Sequence, residues 1–565
     1  MCGFACIFRK SSEPKDIPEN LLSHRGPDFN NQIRLPNMCL RHWRLSIVDL
    51  STESNQPIIK DQYILAYNGE LYDYADLGKN IFNKNYRSDT RLFFDLLKNS
   101  YESLIDSQSG FYSYLFFDKK SFLLKGGRDF FGKKNLYYYI DDDLACFSSE
   151  EKAIKRILIN ENKRVCLSKK SFDQYIDYKD VFFGKTFYEG IREIPPGARF
   201  NFDFKSWELN INYDWDHYYE TPLRDKASFI VDDAKKRFEK SRLTIEEEIT
   251  KDIKSRLNCD VDVQIALSGG LDSTLISTIL KKENFHKKII KSINVGFSGT
   301  ADESRKAKKT ADFLRIKHKS ISFNEFDFLG LLKESIISYG SPLSHPHSLA
   351  YNILTKEAKK KGKVLITGEG ADELFWGYDH YLDGFDEGFA FRKFLDTNKF
   401  FNRQNSYNNS ENLIIKTLKT NANKNIYNSQ DMEMKTHLLS LLRRNDKISM
   451  SNSIEIRSPF LDINLLDLIN QYKSKEKNLY NKKILLKILR KYNQSFKRDK
   501  KKIGFYVPFD EWFLNHKEDR VVKKILRNAI TFYEDFLRLS FFDKENINTR
   551  LGWILMNTGI FLENE

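Results

Sequence analysis

Apolar residues recur with a period of two along the N-terminal part of the chain, which is the pattern of strands. It is clearest in QYILAYNGELY (62–72), GFYSYLFFD (110–118), SFLLKGGRD (121–129) and NLYYYI (135–140), separated by Gly, Asn and Asp. The opening MCGFACIF sets Phe4, Cys6 and Phe8 against Gly3, Ala5 and Ile7, and all of them suit a strand buried on both faces. EIPPGARFNF (193–202) reads as a Pro-Gly turn feeding another strand. The stretch 203–225 loses the pattern, so a domain boundary is placed there, between residues 2–210 and 225–565.

Beyond the boundary, helical spacing alternates with short apolar runs. Residues 230–257 read as helix, 263–268 as strand, 274–282 as helix, 288–297 as strand, 303–315 as helix and 363–368 as strand. This alternation predicts a parallel α/β sheet. Residues 384–430 are polar, rich in Asn and Lys and weakly periodic, which marks a surface insertion.

Composition adds bounds. The chain has 565 residues, 41% hydrophobic and 14% aromatic, enough for more than one large core. The formal charge is +14, but the lysines are spread and mixed with Asp and Glu. A solvated basic surface that suits anionic substrates is the simpler reading, with no nucleic-acid partner and no membrane insertion. The six cysteines (Cys2, Cys6, Cys39, Cys146, Cys166 and Cys259) include no CxxC pair and do not look like a disulfide framework. No apolar run is long enough to span a bilayer, and no basic region precedes the apolar N-terminus, so a reducing cytoplasm is the expected compartment.

Two segments carry chemistry. SGGLDS (268–273) follows a strand and precedes a helix. Gly269 and Gly270 permit a tight turn whose N–H groups can face an anion, while Ser268 and Ser273 add hydroxyls. Asp272 adds a carboxylate able to hold Mg²⁺ near phosphates. A plain Gly-rich turn accounts for the glycines alone. The whole hexapeptide in this context points to phosphate, without being a Walker A loop. TGEGADELFWGY (367–378) sets Glu369, Asp372 and Glu373 after another strand, where carboxylates lie at a parallel sheet's carboxyl edge.

SGGLDS resembles the pyrophosphate-binding loop of the ATP-pyrophosphatase superfamily. Together the two segments resemble the glutamine-dependent asparagine synthase family, in which S-G-E-G-x-D-E follows such a strand, with Thr367 here in place of Ser. The resemblance covers nearly the whole chain except about 384–430. It implies an α/β multidomain protein with an N-terminal αββα Ntn-type glutaminase and a C-terminal parallel α/β domain of the ATP-pyrophosphatase type. ATP and Mg²⁺ are the implied cofactors; glutamine, ATP and a carboxylate acceptor are the implied partners. A homodimer is compatible with it. The nucleotide site would comprise Leu267, Ser268, Gly269, Gly270, Asp272, Ser273, Val295, Thr367 and Gly368, with Asp272 and Asp372 on the metal and Glu369 catalytic.

The family also begins Met-Cys-Gly and exposes its cysteine by losing methionine. Cys2 would then join a thiol nucleophile to an α-amine base whose pKa is about 7.7–8.0. HRGPD (24–28), HWRLSIVDL (42–50), NGE (68–70) and RSDT (87–90) resemble the same glutaminase. By that resemblance Arg44 pairs with the glutamine α-carboxylate, and Ile47 and Val48 lend backbone contacts. Asn68 and the Gly69 N–H face the oxyanion, and Glu70 and Asp89 hold the ammonium. RDFFGKKNLYY (128–138), with Asn135 where proline is usual, and SSEEKAI (148–154) fit as well. LLRRNDKISMSNSIEIRSPFLD (441–462) resembles a family segment whose charges are expected to brace the synthetase core. KKIGFYVPFDEW (501–512) resembles K-x-G-F-x-x-P-x-x-x-W and singles out Lys502, which would offset charge on leaving pyrophosphate.

The implied reaction releases ammonia from glutamine at Cys2, passes it internally, and uses it to displace AMP from an adenylated carboxylate. A β-lactam synthetase would lack a working glutaminase. A tRNA-modifying enzyme would bring an RNA-binding module. An inactive scaffold would have lost one of Cys2, Asp272 or Lys502. Aspartate is the family's default acceptor, giving asparagine. However, SYGSPLSHPHSLAYNILTKEA (338–358) carries His345 and His347, which are either loop residues or a wall for a polyhydroxylated acceptor. Similar relatives in bacterial surface-polysaccharide pathways amidate sugar uronates, so both acceptors stay open.

Overall fold

The computed structural model describes residues 2–238, 243–283, 289–297, 303–378, 401–402, 430–431, 433–472, 480–494, 496, 507–538, 540–541 and 547–565. Lys502 and most of 384–430 lie outside them. The alternating N-terminal segments form two six-stranded antiparallel sheets. The first has Cys2–Arg9 near its centre, paired on one side with Met38–Arg44 and on the other with Leu144–Ser148. In the second, Tyr63–Leu71 lies between Ile58–Lys60 and Gly110–Asp118.

The alternation of the opening strand has the consequence expected of it. Phe4, Cys6 and Phe8 join Leu115, Phe117, Phe200 and Phe202 in a core between the sheets. Ala5 and Ile7 point the other way, into a core with Ile154 and Ile157 of the helix Glu151–Asn160. The far face of the second sheet packs Leu65, Tyr67 and Tyr114 against Leu92, Phe93 and Leu96 of the helix Asp89–Lys98. The order is therefore helix, sheet, sheet, helix.

The C-terminal half is built on a five-stranded sheet ordered His318–Phe323, Ile289–Phe297, Val263–Ala266, Val364–Ile366, Glu455–Arg457, with every pair parallel. Two details differ from the sequence reading. The helix expected over 230–257 is two helices, Leu223–Phe238 and Ile245–Ser255. Thr244 starts the second with a reciprocal capping box to Glu247, a local signal that overrides continuous helical spacing. The strand His318–Phe323 is one that the hydrophobic pattern does not predict. It lies at the sheet's edge and is only partly covered, so it lacks the apolar run of the buried strands.

Strands Val263–Ala266 and Val364–Ile366 are neighbours, so the segments following them emerge side by side. A Cβ on Gly368 would lie 3.0 Å from the Asp272 Cβ. The phosphate-type loop and the acidic loop thus meet at the sheet's carboxyl edge, the usual ligand position in such folds.

Candidate active site

Two centres stand out, one in each half. In the first, buried Cys2 begins the central strand, and its N–H donates to the Asn68 Oδ1 at 3.0 Å. Asn68, Gly69 and Glu70 lie on the facing strand Tyr63–Leu71. Only glycine fits at 69, since a Cβ there would lie 2.3 Å from the Phe111 carbonyl oxygen. The Arg25 Nε donates to the Cys2 carbonyl at 3.1 Å, and Gly3 leaves room for the Arg25 side chain, which a Cβ would meet at 2.9 Å. Burial raises the Cys2 thiol, and the N-terminal charge, the Leu45 backbone and Arg44 offset that rise only in part.

Arg44 pairs in register with Cys2, and its guanidinium donates to the carbonyls of Ser51 and Asp49 and to the Asn55 side chain. It thereby shapes the loop holding Ile47 and Val48. Asp89, at the start of its helix, accepts from the Tyr67 hydroxyl at 2.8 Å and from the Leu71 and Thr90 N–H groups. Burial pushes its carboxyl up to about 6. Glu70 is raised well above the ordinary carboxylate range by burial and by Asp89. It accepts from the Arg457 Nη2 at 3.2 Å, an arginine from the C-terminal half. A cavity of about 280 Å³ is lined by Val48, Tyr72, Tyr74, Cys259 and Asp260.

The second centre is the meeting of the two loops. Gly269, at φ +80°, turns the chain, and the Ser268 hydroxyl accepts from the Gly270 N–H at 3.2 Å and contacts the Ser273 hydroxyl at 3.1 Å. Leu267 is buried and bonded to Ile293 of the strand that also holds Val295. Thr367 is buried, with its hydroxyl 3.2 Å from that of Ser458. Asp272 and Asp372 both reach the Lys482 ammonium, at 2.6 and 2.7 Å. Burial opposes that charge, but the two carboxylates hold Lys482 above the ordinary lysine range. Glu369 is bonded to Arg444 and Asn445, and burial raises its carboxyl.

One helix, Leu439–Ser451, links the centres. Arg444 and Asn445 hold Glu369, whereas the next residue, Asp446, accepts from Arg25 at 2.9 Å and from the Lys134 ammonium at 2.9 Å. Lys447 reaches Glu151. Asp446 and Lys447 bridge the two halves, while Arg444 on Glu369 and Arg457 on Glu455 join groups within the C-terminal half. Consecutive helical residues point roughly 100° apart, so each turn presents several faces.

Beside this helix, His345 faces His437 with ring centres 5.1 Å apart and His347 at 6.3 Å. His437 lies on a π-helical turn, Met434–Leu438, and Tyr378 packs against it at 5.9 Å. Burial and the neighbouring His437 lower the His345 imidazole well below its ordinary range. His347 begins the helix His347–Lys359 rather than sitting in a loop.

The structure thus brings Cys2 together with Asn68, and Asp272 together with Asp372. Sequence reasoning missed Lys482, Arg25 and Asp446. Lys482 lies in the polar run YNKK and has the signature of a solvated lysine. Arg25 lies in HRGPD, where nothing in the sequence distinguishes it from a surface arginine.

The asparagine synthase family model matches residues 244–552, and the glutamine amidotransferase domain model matches residues 1–213. Asparagine synthetase (glutamine-hydrolyzing) 1 of Bacillus subtilis strain 168 is 27% identical, covering 94% of this chain and 90% of that protein. A putative asparagine synthetase (glutamine-hydrolyzing) 2 of Methanocaldococcus jannaschii is 28% identical over 68% of this chain and 77% of its own length. Amidase chyE of Penicillium rubens is 28% identical over 64% of this chain and 54% of its length. With both family models in this order along one chain, the protein belongs to the asparagine synthase family and is a glutamine-hydrolysing carbon–nitrogen ligase.

Proposed function

We propose that the protein makes an amide from a carboxylate that it first activates with ATP, with aspartate as the lead acceptor and asparagine as the product. Cys2, freed of Met1, attacks the glutamine side-chain amide. Asn68 and the Gly69 N–H receive the charge that develops on oxygen. The amide nitrogen leaves as ammonia, and water hydrolyses the thioester to glutamate. Arg44, Ile47, Val48, Glu70 and Asp89 orient the glutamine. At the second centre the Ser268–Ser273 loop holds the ATP phosphates. The acceptor carboxylate attacks the α-phosphorus, pyrophosphate leaves, and ammonia then displaces AMP from the acyl-adenylate. Glu369 serves the acceptor side, and Lys502, by resemblance, the leaving pyrophosphate. The cytoplasm is the expected compartment.

The reading is carried by one observation: the SGGLDS loop and the carboxylates of the TGEGADE segment end adjacent parallel strands, with Asp272 and Asp372 converging on one cation. That convergent pair of oxygen donors fits Mg²⁺, which when bound would neutralise phosphate charge.

A second acceptor has its own support. His345, His347, His437 and Tyr378 cluster beside Arg444, the residue holding Glu369. Imidazoles and a phenol suit hydroxyl groups and ring faces, as in a sugar uronate. The test is pyrophosphate release with aspartate against a nucleotide-linked uronic acid, glutamine present in both. Turnover with aspartate at or below about millimolar concentration, within the ordinary KM range, retires the sugar. Turnover with the uronate alone retires asparagine.

A further inference from the structure

The glutamine loop, residues 45–55, joins two strands of different sheets and is held from outside as well as from within. Arg44 organises its interior. From the C-terminal half, Asp260 grips it twice: its N–H donates to the Ile47 carbonyl at 2.9 Å, and its Oδ2 accepts from the Asp49 N–H at 2.8 Å. Asp49 sits at φ +52°, a conformation uncommon for a residue other than glycine and one that such a tie helps to hold. Lys363 makes a second grip. Its ammonium donates to the Ser46 carbonyl at 3.3 Å and to the Asp28 Oδ2 at 2.7 Å, and Asp28 in turn accepts from the Ser46 N–H at 2.6 Å.

The position of these two residues gives the grips their meaning. Asp260 lies just before the strand Val263–Ala266, and Lys363 immediately before the strand Val364–Ile366. Those strands pair directly, Val263 with Val364, and their far ends deliver Ser268–Ser273 and Thr367–Glu373. The loop that presents Ile47 and Val48 is therefore tied to the opposite ends of the two strands that carry the nucleotide loops. Strands of this length are short, stiff struts of ~10–13 Å.

We propose that Asp260 and Lys363 are positioning residues for glutamine binding: a clasp from the synthetase sheet that fixes the glutamine loop. Asp260 also lines the cavity beside Val48, but the role assigned to both residues is support of the loop and not contact with glutamine. Each acts through the backbone of residues 46–49. The inference rests on reading that loop and Cys2 as the glutamine site.

The experiment is steady-state glutamine hydrolysis by the full-length protein, fitted separately for kcat and KM. Asp260 is exposed and the Lys363 side chain is 33% exposed, so neither substitution empties the core. Asp260→Ala and Lys363→Ala should each raise the glutamine KM about three- to tenfold, the loss of one or two partly exposed hydrogen bonds, with kcat within about twofold. Asp260→Asn keeps an oxygen that can accept from Asp49 and should restore KM to within about twofold of the parent. Unchanged KM in both alanine variants, or a fall in kcat at constant KM, overturns the clasp. If the parent protein hydrolyses no glutamine, the site reading itself fails, and that outcome is distinct from a parent that hydrolyses glutamine with variants that match it.

Discussion

Asn445 and Asp446 are consecutive residues on one buried helical turn, yet they serve different halves of the molecule: Asn445 donates to Glu369, and Asp446 accepts from Arg25, which holds the Cys2 carbonyl. The residue proposed to release ammonia and the residue proposed to serve the acceptor are thus joined through two adjacent side chains. A helix turn buried among charges is costly to desolvate, so each charge must find its partner.

Replacing Asp446 with alanine leaves Arg25 and Lys134 in the interior without this carboxylate. Removing one member of a buried ion-pair network costs about 3–5 kcal/mol. Chemical denaturation of Asp446→Ala should show a loss of that order, with Asp446→Asn losing less because it can still accept a hydrogen bond. A loss below about 1 kcal/mol, the range of exposed pairs, would mean the network does not brace the two halves.

The two centres should be separable by chemistry. Cys2→Ala removes the proposed nucleophile but no group of the second centre. Glutamine-dependent amide formation should disappear, while synthesis driven by added ammonium should persist within about threefold, a factor under 1 kcal/mol. The assay is amide product formed from each nitrogen donor. Retained glutamine-dependent synthesis would remove Cys2 from its role.

The acidic pair at the glutamine site gives a pH signature. Holding an ammonium requires ionised Asp89 and Glu70, and burial raises both, Asp89 to about 6. As pH falls through about 6 Asp89 takes up a proton, and Glu70, held well above the ordinary carboxylate range by burial and by Asp89, is neutralised as well, so the attraction is lost. The kcat/KM for glutamine hydrolysis should therefore fall about tenfold per unit on the acid side, chiefly through KM. Asp89→Asn should raise KM at every pH and remove that residue's part of the limb. A profile flat down to pH 5 would contradict this assignment.

Lys482 between Asp272 and Asp372 makes a fourth prediction. Lys482→Met leaves two neighbouring carboxylates to repel each other, so the variant should lose stability by about 3–5 kcal/mol. Millimolar Mg²⁺ should restore part of the variant's melting temperature. No recovery with Mg²⁺ would show that the pair does not take a divalent ion.

Much of the fold was legible because its determinants are local. Alternation in Cys2–Arg9 and Tyr63–Leu71 dictated sheets, and strand–helix spacing around SGGLDS dictated a parallel sheet. The loops at the carboxyl edge were legible for the same reason, since order along the chain fixes where they emerge. Arg25, Asp446 and Lys482 were not, because a charge between two acids and a charge in solvent look alike in a sequence. The split at Thr244 was written in the chain, as Thr followed three residues later by Glu, but the helical spacing on both sides concealed it.

The most direct test of the account is the nucleotide product formed when the full-length protein turns over ATP, Mg²⁺, glutamine and acceptor, measured by ³¹P NMR or chromatography alongside the amide. A loop of the SGGLDS kind holding the phosphates for attack at the α-phosphorus predicts AMP and pyrophosphate, each in step with amide. ADP and inorganic phosphate as the stoichiometric products would contradict it.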